Sequence, residues 1–144
     1  MRQVNNLKSH WLALIVAIVM VLSGLGFKYY HNHTYAGQPY TETNLSKLTQ
    51  KGTYNLVFYR PGCAYCYGAK AAVIKASHDS QVPTGFINVK SKSGQRLVSR
   101  YHVQKAATIV TIRSDQVPRL YLYAKHDHGR YYANQTVLKE VFNE

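Results

Sequence analysis

Two cysteines, spaced Cys63-Ala64-Tyr65-Cys66, sit where a strand-like run gives way to a helix-like one, and no other feature restricts the fold as much. Before them, Thr53-Tyr54-Asn55-Leu56-Val57-Phe58-Tyr59 is rich in β-branched and aromatic residues and is bounded by Gly52 and Pro61, which predicts a buried strand. After them, Gly68-Ala69-Lys70-Ala71-Ala72-Val73-Ile74-Lys75-Ala76 is built from strong helix formers. A helix N-terminus offers unpaired N–H groups and a partial positive charge, which favour a thiolate over a thiol. The thiolate is the reactive form, so Cys63 is the expected nucleophile and Cys66, one turn on, the expected resolving thiol. Arg60 is close enough in sequence either to help hold that thiolate or merely to keep the surface soluble. Tyr65 and Tyr67 are candidates to flank a substrate groove, with packing on the helix the other reading of Tyr67.

At 144 residues the chain has room for one domain and little else. Two cysteines do not make a disulfide scaffold, so the fold must stand on its hydrophobic core. The net charge is +12 with only six acids, an excess that attracts polyanions such as nucleic acid, anionic lipid or cell-wall polymer. The basic residues are dispersed, however, and no nucleic-acid module accompanies them. A solvated basic surface, with no nucleic-acid partner, is the expectation.

Residues 1–10 are polar and read as a cytoplasmic N-terminus, with Arg2 and Lys8 and no acid. Residues 11–27 follow as seventeen residues without a charge, enough to span a bilayer. The basic flank before the run places the N-terminus in the cytoplasm and the remainder outside. The alternative is a cleaved signal peptide, with Gly24 and Gly26 as small residues at a cleavage site. The run exceeds the usual apolar region of such a signal, which favours an uncleaved anchor. Residues 28–40 lack a clear period, contain Gly37 and Pro39, and read as a linker to a domain over 41–144. His31 and His33 form a His-x-His pair, but a stable metal site needs further convergent ligands.

Along that domain, residues 41–51 predict a short helix, with Thr43 or Asn44 as its cap and Leu45 and Leu48 at helical spacing. Gly85-Phe86-Ile87-Asn88-Val89 predicts a second strand, and residues 93–101 a short helix. Thr108–Ile112 and residues 119–123 are strongly β-prone, with Ser114-Asp115-Gln116 as a hairpin turn between them. Residues 125–134 read as a polar surface loop, and Gln135–Phe142 carries Val137, Leu138, Val141 and Phe142 on one helical face. Helices alternating with strands and then a hairpin imply an α/β fold with a mixed central sheet covered by helices.

Over residues 41–144 this order and spacing, together with the Cys-x-x-Cys motif, resemble the thioredoxin superfamily. The resemblance implies a thioredoxin-like domain that performs thiol–disulfide exchange without a cofactor or metal. It also implies exported protein substrates bearing cysteines, and a redox partner protein. Laid on the family's pattern, Ala107 takes the place of its cis-proline and Thr108 the residue after it. With Arg60, Ala64 and Tyr65 these two make the expected substrate groove around Cys63 and Cys66. A second alignment puts Pro118 at that proline but leaves Thr108–Ile112 without a place in the sheet. Val57 stands where thioredoxins keep a buried Asp, Gly62 where they keep a Trp, and Ala64-Tyr65 where they have Gly-Pro. Small anchored chains of this type resemble thioredoxin-like accessory proteins of Gram-positive bacteria, including those linked to bacteriocin export or conjugation.

Four readings of the cysteine pair follow. A redox pair makes the chain an extracytoplasmic thiol–disulfide oxidoreductase, as reductase or oxidase. Zinc ligation needs two more ligands, for which His126 and His128 around Asp127 are the candidates. An inert structural disulfide would close too short a loop to remove much chain entropy. Last, a non-enzymatic thioredoxin-like module would use the fold and the anchor to hold a partner. Chemistry at a helix-start thiolate favours the first.

Overall fold

The computed structural model describes residues 2–114 and 116–143, and the chain forms two compact units, up to Asn32 and from His33 onward. The first unit is helical. Helix α1 runs Arg2–His33, and within it His10–Tyr30 is a 21-residue stretch with none of its residues buried. At 1.5 Å per residue it is about 32 Å long, matching a hydrocarbon core of about 30 Å. By length and composition it is able to cross a membrane.

The second unit is an α/β domain on a mixed sheet. Strand β1 (Tyr54–Tyr59) pairs parallel with β2 (Thr84–Asn88) and antiparallel with β3 (Thr108–Ile112), and β3 pairs antiparallel with β4 (Arg119–Leu122). The order is β2-β1-β3-β4, which leaves β4 at an edge. Every residue of β1 is buried, and the two-residue period of a strand sends alternate side chains to opposite cores. Val57 and Tyr59 join Ile109, Val73, Leu138 and Phe142 on one face. Leu56 and Phe58 join Ile87, Val110, Leu48 and Val103 on the other. Helices α3 (Ala64–Asp79) and α5 (Gln135–Phe142) therefore cover the first face, while α2 (Ser46–Thr49) and the apolar side of α4 (Lys92–Arg100) lie on the second.

Three local expectations need correction. The expected linker over 28–40 is helical as far as His33, and its remainder packs into the domain. Tyr35 is only 5% exposed, and the Tyr40 carbonyl accepts the Phe86 N–H at 2.8 Å, so the compact unit begins at His33 rather than at 41. The helix expected over 41–51 is a single turn, Ser46–Thr49, which neither Thr43 nor Asn44 caps. The Asn44 side chain instead accepts the Thr41 N–H at 2.7 Å, closing a local turn. Residues 125–134 are not a loop but the core of a hairpin, β5 (Ala124–Asp127) and β6 (Arg130–Ala133), turned by His128 and Gly129 at φ 45° and 73°. Consecutive positive φ values are what a tight hairpin turn requires. Of the turn expected at Ser114-Asp115-Gln116, Asp115 lies outside the described residues, as does the side chain of His31 in the His31/His33 pair.

Candidate functional site

The site begins with a turn that proline and glycine make cheaply. The Arg60 carbonyl accepts the Cys63 N–H at 3.2 Å, with Pro61 and Gly62 between them and Gly62 at φ 76°. Proline followed by a glycine at positive φ is the signature of a type II turn. This explains Gly62 directly, because a side chain there would be strained. The turn delivers Cys63 as the N-cap of α3, where its sulfur accepts the Cys66 N–H at 3.4 Å. A cap that is a sulfur rather than a hydroxyl puts the sulfur itself in the field of the helix N-terminus.

The two thiols are not equivalent. Cys63 lines a cavity of about 770 Å³, whereas Cys66, a turn inside the helix and 2% exposed, does not. Burial pushes the Cys66 thiol above its ordinary pKa and the Cys63 thiol adds to the rise, against smaller lowering effects of the Arg60 backbone and the Tyr123 hydroxyl. Tyr123 is fully buried, and Tyr35 hydrogen-bonds both the Cys66 carbonyl (2.9 Å) and the Tyr123 hydroxyl (3.4 Å). Val57 is fully buried as well, so the polar groups behind Cys66 are phenols and not a carboxylate from β1.

Of the expected groove residues, Arg60, Tyr65 and Ala107 line the cavity with Cys63. Ala64 is exposed at the start of α3 and is not part of the lining. Thr108 does not line the cavity: its hydroxyl donates to the Lys105 carbonyl at 2.8 Å, and it borders a smaller adjoining cavity that shares Gln104, Lys105 and Leu122. Ala107 precedes β3 at positive φ and Thr108 opens the strand, and of the two only Ala107 lines the cavity with Cys63. Between the two alignments, Ala107 is the residue beside Cys63, while Pro118 is exposed ahead of β4. Ala107 sits at φ 64° with its N–H donated to the Phe58 carbonyl at 3.1 Å. No cis peptide bond occurs among the described residues.

Several residues of the site do not announce themselves in the sequence. Tyr131 packs edge-on to Tyr65 at 4.8 Å between ring centroids, and His126 stacks on Tyr131 at 4.4 Å, extending an aromatic ledge from the cysteine pair onto β5 and β6. Lys90 and Lys105 line the cavity from the connections that follow β2 and precede β3. The only advance signal for these is residue type, since their meeting depends on the folded sheet. His128 and Asp127 pair with each other at 2.9 Å, exposed at the hairpin turn. Among the described residues no three His, Cys, Asp or Glu side chains gather as a metal site would require.

Fold and site thus define an α/β protein with a dithiol at a strand-to-helix junction and an N-terminal helix able to cross a membrane. Neither the protein-family models nor the characterised proteins compared with this sequence match it.

Proposed function

We propose that this chain is a membrane-anchored thiol–disulfide oxidoreductase, with a thioredoxin-like domain outside the membrane acting on the cysteines of exported proteins. The observation that carries the reading is the asymmetry of the pair. Cys63 meets the cavity from the N-cap of α3, and Cys66 waits behind it in the core. Both thiols are buried, at 9% and 2% exposed, but the helix-start sulfur that borders the cavity attacks and its neighbour one turn away resolves.

In the reductive direction, the Cys63 thiolate attacks one sulfur of a substrate disulfide. The substrate S–S bond breaks, a mixed disulfide forms, and the displaced substrate thiolate takes a proton from water. Cys66 then gives up its proton and attacks the Cys63 sulfur, releasing the second substrate thiolate. The substrate has gained two electrons and the protein has lost two, held as a Cys63–Cys66 disulfide. The reverse sequence oxidises a substrate dithiol. A redox partner protein, itself a dithiol or disulfide carrier, resets the pair.

The test is trapping. Cys66→Ser in intact cells is expected to accumulate mixed disulfides through Cys63 with exported proteins, and Cys63→Ser is not. Equal trapping by both variants, or partners confined to the cytoplasm, would overturn the chemistry or the orientation respectively. No trapping together with no exchange on test disulfides would leave a non-enzymatic binding module as the better account.

A further inference from the structure

The cavity beside Cys63 has one sign of charge. Arg60 from the turn after β1, Lys90 from the segment after β2 and Lys105 from the segment before β3 converge on it, and no acid lines it. All three are exposed, and among the described residues none is paired with a carboxylate of the chain. The backbone at Lys90 is held in place, its N–H accepted by the Asn88 side chain at 3.0 Å. Between the cations the lining mixes apolar Val98, Val103 and Leu122 with the uncharged amides of Gln95 and Gln104. A cleft walled by one sign of charge over a partly apolar floor concentrates field lines and raises the local concentration of the opposite charge.

We propose that this cleft selects peptide segments in which acidic residues flank the reacting cysteine. The inference rests on the thiol-exchange reading above and names the substrate class of that same site. A peptide fits better than a compact anion because the lining comes from separate segments and reaches Leu122 on the exposed edge strand. An extended chain can lay an apolar side chain on the floor, carry carboxylates to cations on different walls, and bring its sulfur to Cys63. The cations are solvated, so their main effect is on encounter rate and on rejection of basic segments.

The experiment uses the full-length reduced protein in uncharged detergent micelles. Three peptides of equal length each carry one cysteine as a mixed disulfide with 2-mercaptoethanol, flanked by Asp, by Ser or by Lys. Uncharged 2-hydroxyethyl disulfide serves as the baseline, and exchange rates are read at low and high salt. The Asp peptide is expected to react about ten-fold faster than the Ser peptide at low salt and the Lys peptide slower, with the spread collapsing at high salt. Lys90→Glu with Lys105→Glu should reverse the order. Lys139→Glu on α5, an exposed site outside the lining, should preserve it. Equal rates for the Asp and Lys peptides, with 2-hydroxyethyl disulfide still reacting, would overturn the charge selection and leave the redox reading standing. A Lys139→Glu effect as large as the cavity variants' would overturn it too, assigning the preference to overall charge. No reaction with 2-hydroxyethyl disulfide would remove the redox reading and this inference together.

Discussion

The hydroxyl of Tyr35 donates to the carbonyl of Cys66 at 2.9 Å across 31 positions of sequence, fastening the segment that follows α1 to the first turn of α3. Its ring packs on Tyr59 at 4.6 Å and on Phe86 at 5.5 Å between centroids. Tyr35 is therefore both a core residue of the domain and a support for the second thiol. Truncation to Ala should cost about 3–5 kcal/mol, as for other buried aromatics. Tyr35→Phe should cost only about 1 kcal/mol, the hydrogen bond alone. Denaturant unfolding of the two variants separates packing from the hydroxyl, and a neutral Tyr35→Ala would show that residues 34–40 do not belong to the domain core.

Behind Tyr35, the fully buried Tyr123 packs in the core and also bears on the second thiol. Its hydroxyl lowers the pKa of a Cys66 thiol that burial has raised. Tyr123→Phe keeps the ring and removes that help, so Cys66 ionises less readily. Resolution of the mixed disulfide should slow by about five-fold near neutral pH, the equivalent of about 1 kcal/mol, and its pH profile should move to higher pH. Attack by Cys63 should change less. A resolution profile that does not move would mean the hydroxyl serves only to fill and satisfy the core.

The same buried groups set a pH dependence of stability. Burial raises Cys66 and Tyr123, and it raises Tyr35 as well, above ordinary values of 9.0 for the thiol and 10.0 for the phenols. An acid whose folded-state pKa is raised holds its proton longer when folded, so above the unfolded value the native state binds more protons than the unfolded state. The stability contribution is complete below pH 9 and is lost as pH rises beyond it. Each such group lowers stability by about 1.4 kcal/mol per pH unit in its window. Lysines titrate in this range too, so the useful comparison is between variants. Above pH 10 the reduced Tyr35→Phe protein should lose stability less steeply than wild type, and parallel profiles would contradict the assignment.

Gly68 offers a test in which two principles predict opposite signs. It lies within α3, where replacing glycine by alanine stabilises an isolated helix by about 1 kcal/mol. A Cβ at Gly68 would, however, collide with the backbone carbonyl of Tyr131 on β6. The obstacle is main chain and cannot rotate aside, so Gly68→Ala should destabilise by about 1–3 kcal/mol. It should also push the hairpin, and with it Tyr131 and His126, away from Tyr65. A stabilised Gly68→Ala protein would mean that β5 and β6 are not seated on α3 as described.

These residues mark where the sequence is legible. The strand of residues 54–59 and the helix after Cys63 can be read in advance because propensity and burial agree locally. The β5–β6 hairpin cannot, because it is exposed except at Ala124 and Ala133 and shows no apolar alternation. Only the turn at His128-Gly129 hints at it. Tyr35 is hidden for a different reason: with Tyr29, Tyr30 and Tyr40 it forms no regular period, and its burial depends on Tyr59, Phe86 and Cys66 far along the chain. The cavity's cations are illegible in the same way, since Lys90 and Lys105 meet only after the sheet has formed.

Ala107 is where the resemblance to thioredoxins and the geometry part, and substitution there distinguishes them. Were the site simply waiting for the family's proline, Ala107→Pro would be tolerated. Here Ala107 adopts φ 64° and donates its N–H to the Phe58 carbonyl, whereas proline fixes φ near −65° and has no N–H to give. Ala107→Pro should therefore destabilise by more than about 1 kcal/mol and disturb the wall of the cavity beside Cys63. Glycine tests the other half of the argument. It relieves about 1–2 kcal/mol of left-handed strain, against about 0.4–1 kcal/mol of added freedom in the unfolded chain. Ala107→Gly should leave stability unchanged or slightly raised, with the Phe58 hydrogen bond intact. A proline variant as stable as wild type, with unaltered exchange at Cys63, would show that this loop readily takes up the family's backbone and that the left-handed alanine is not a fixed feature of the site.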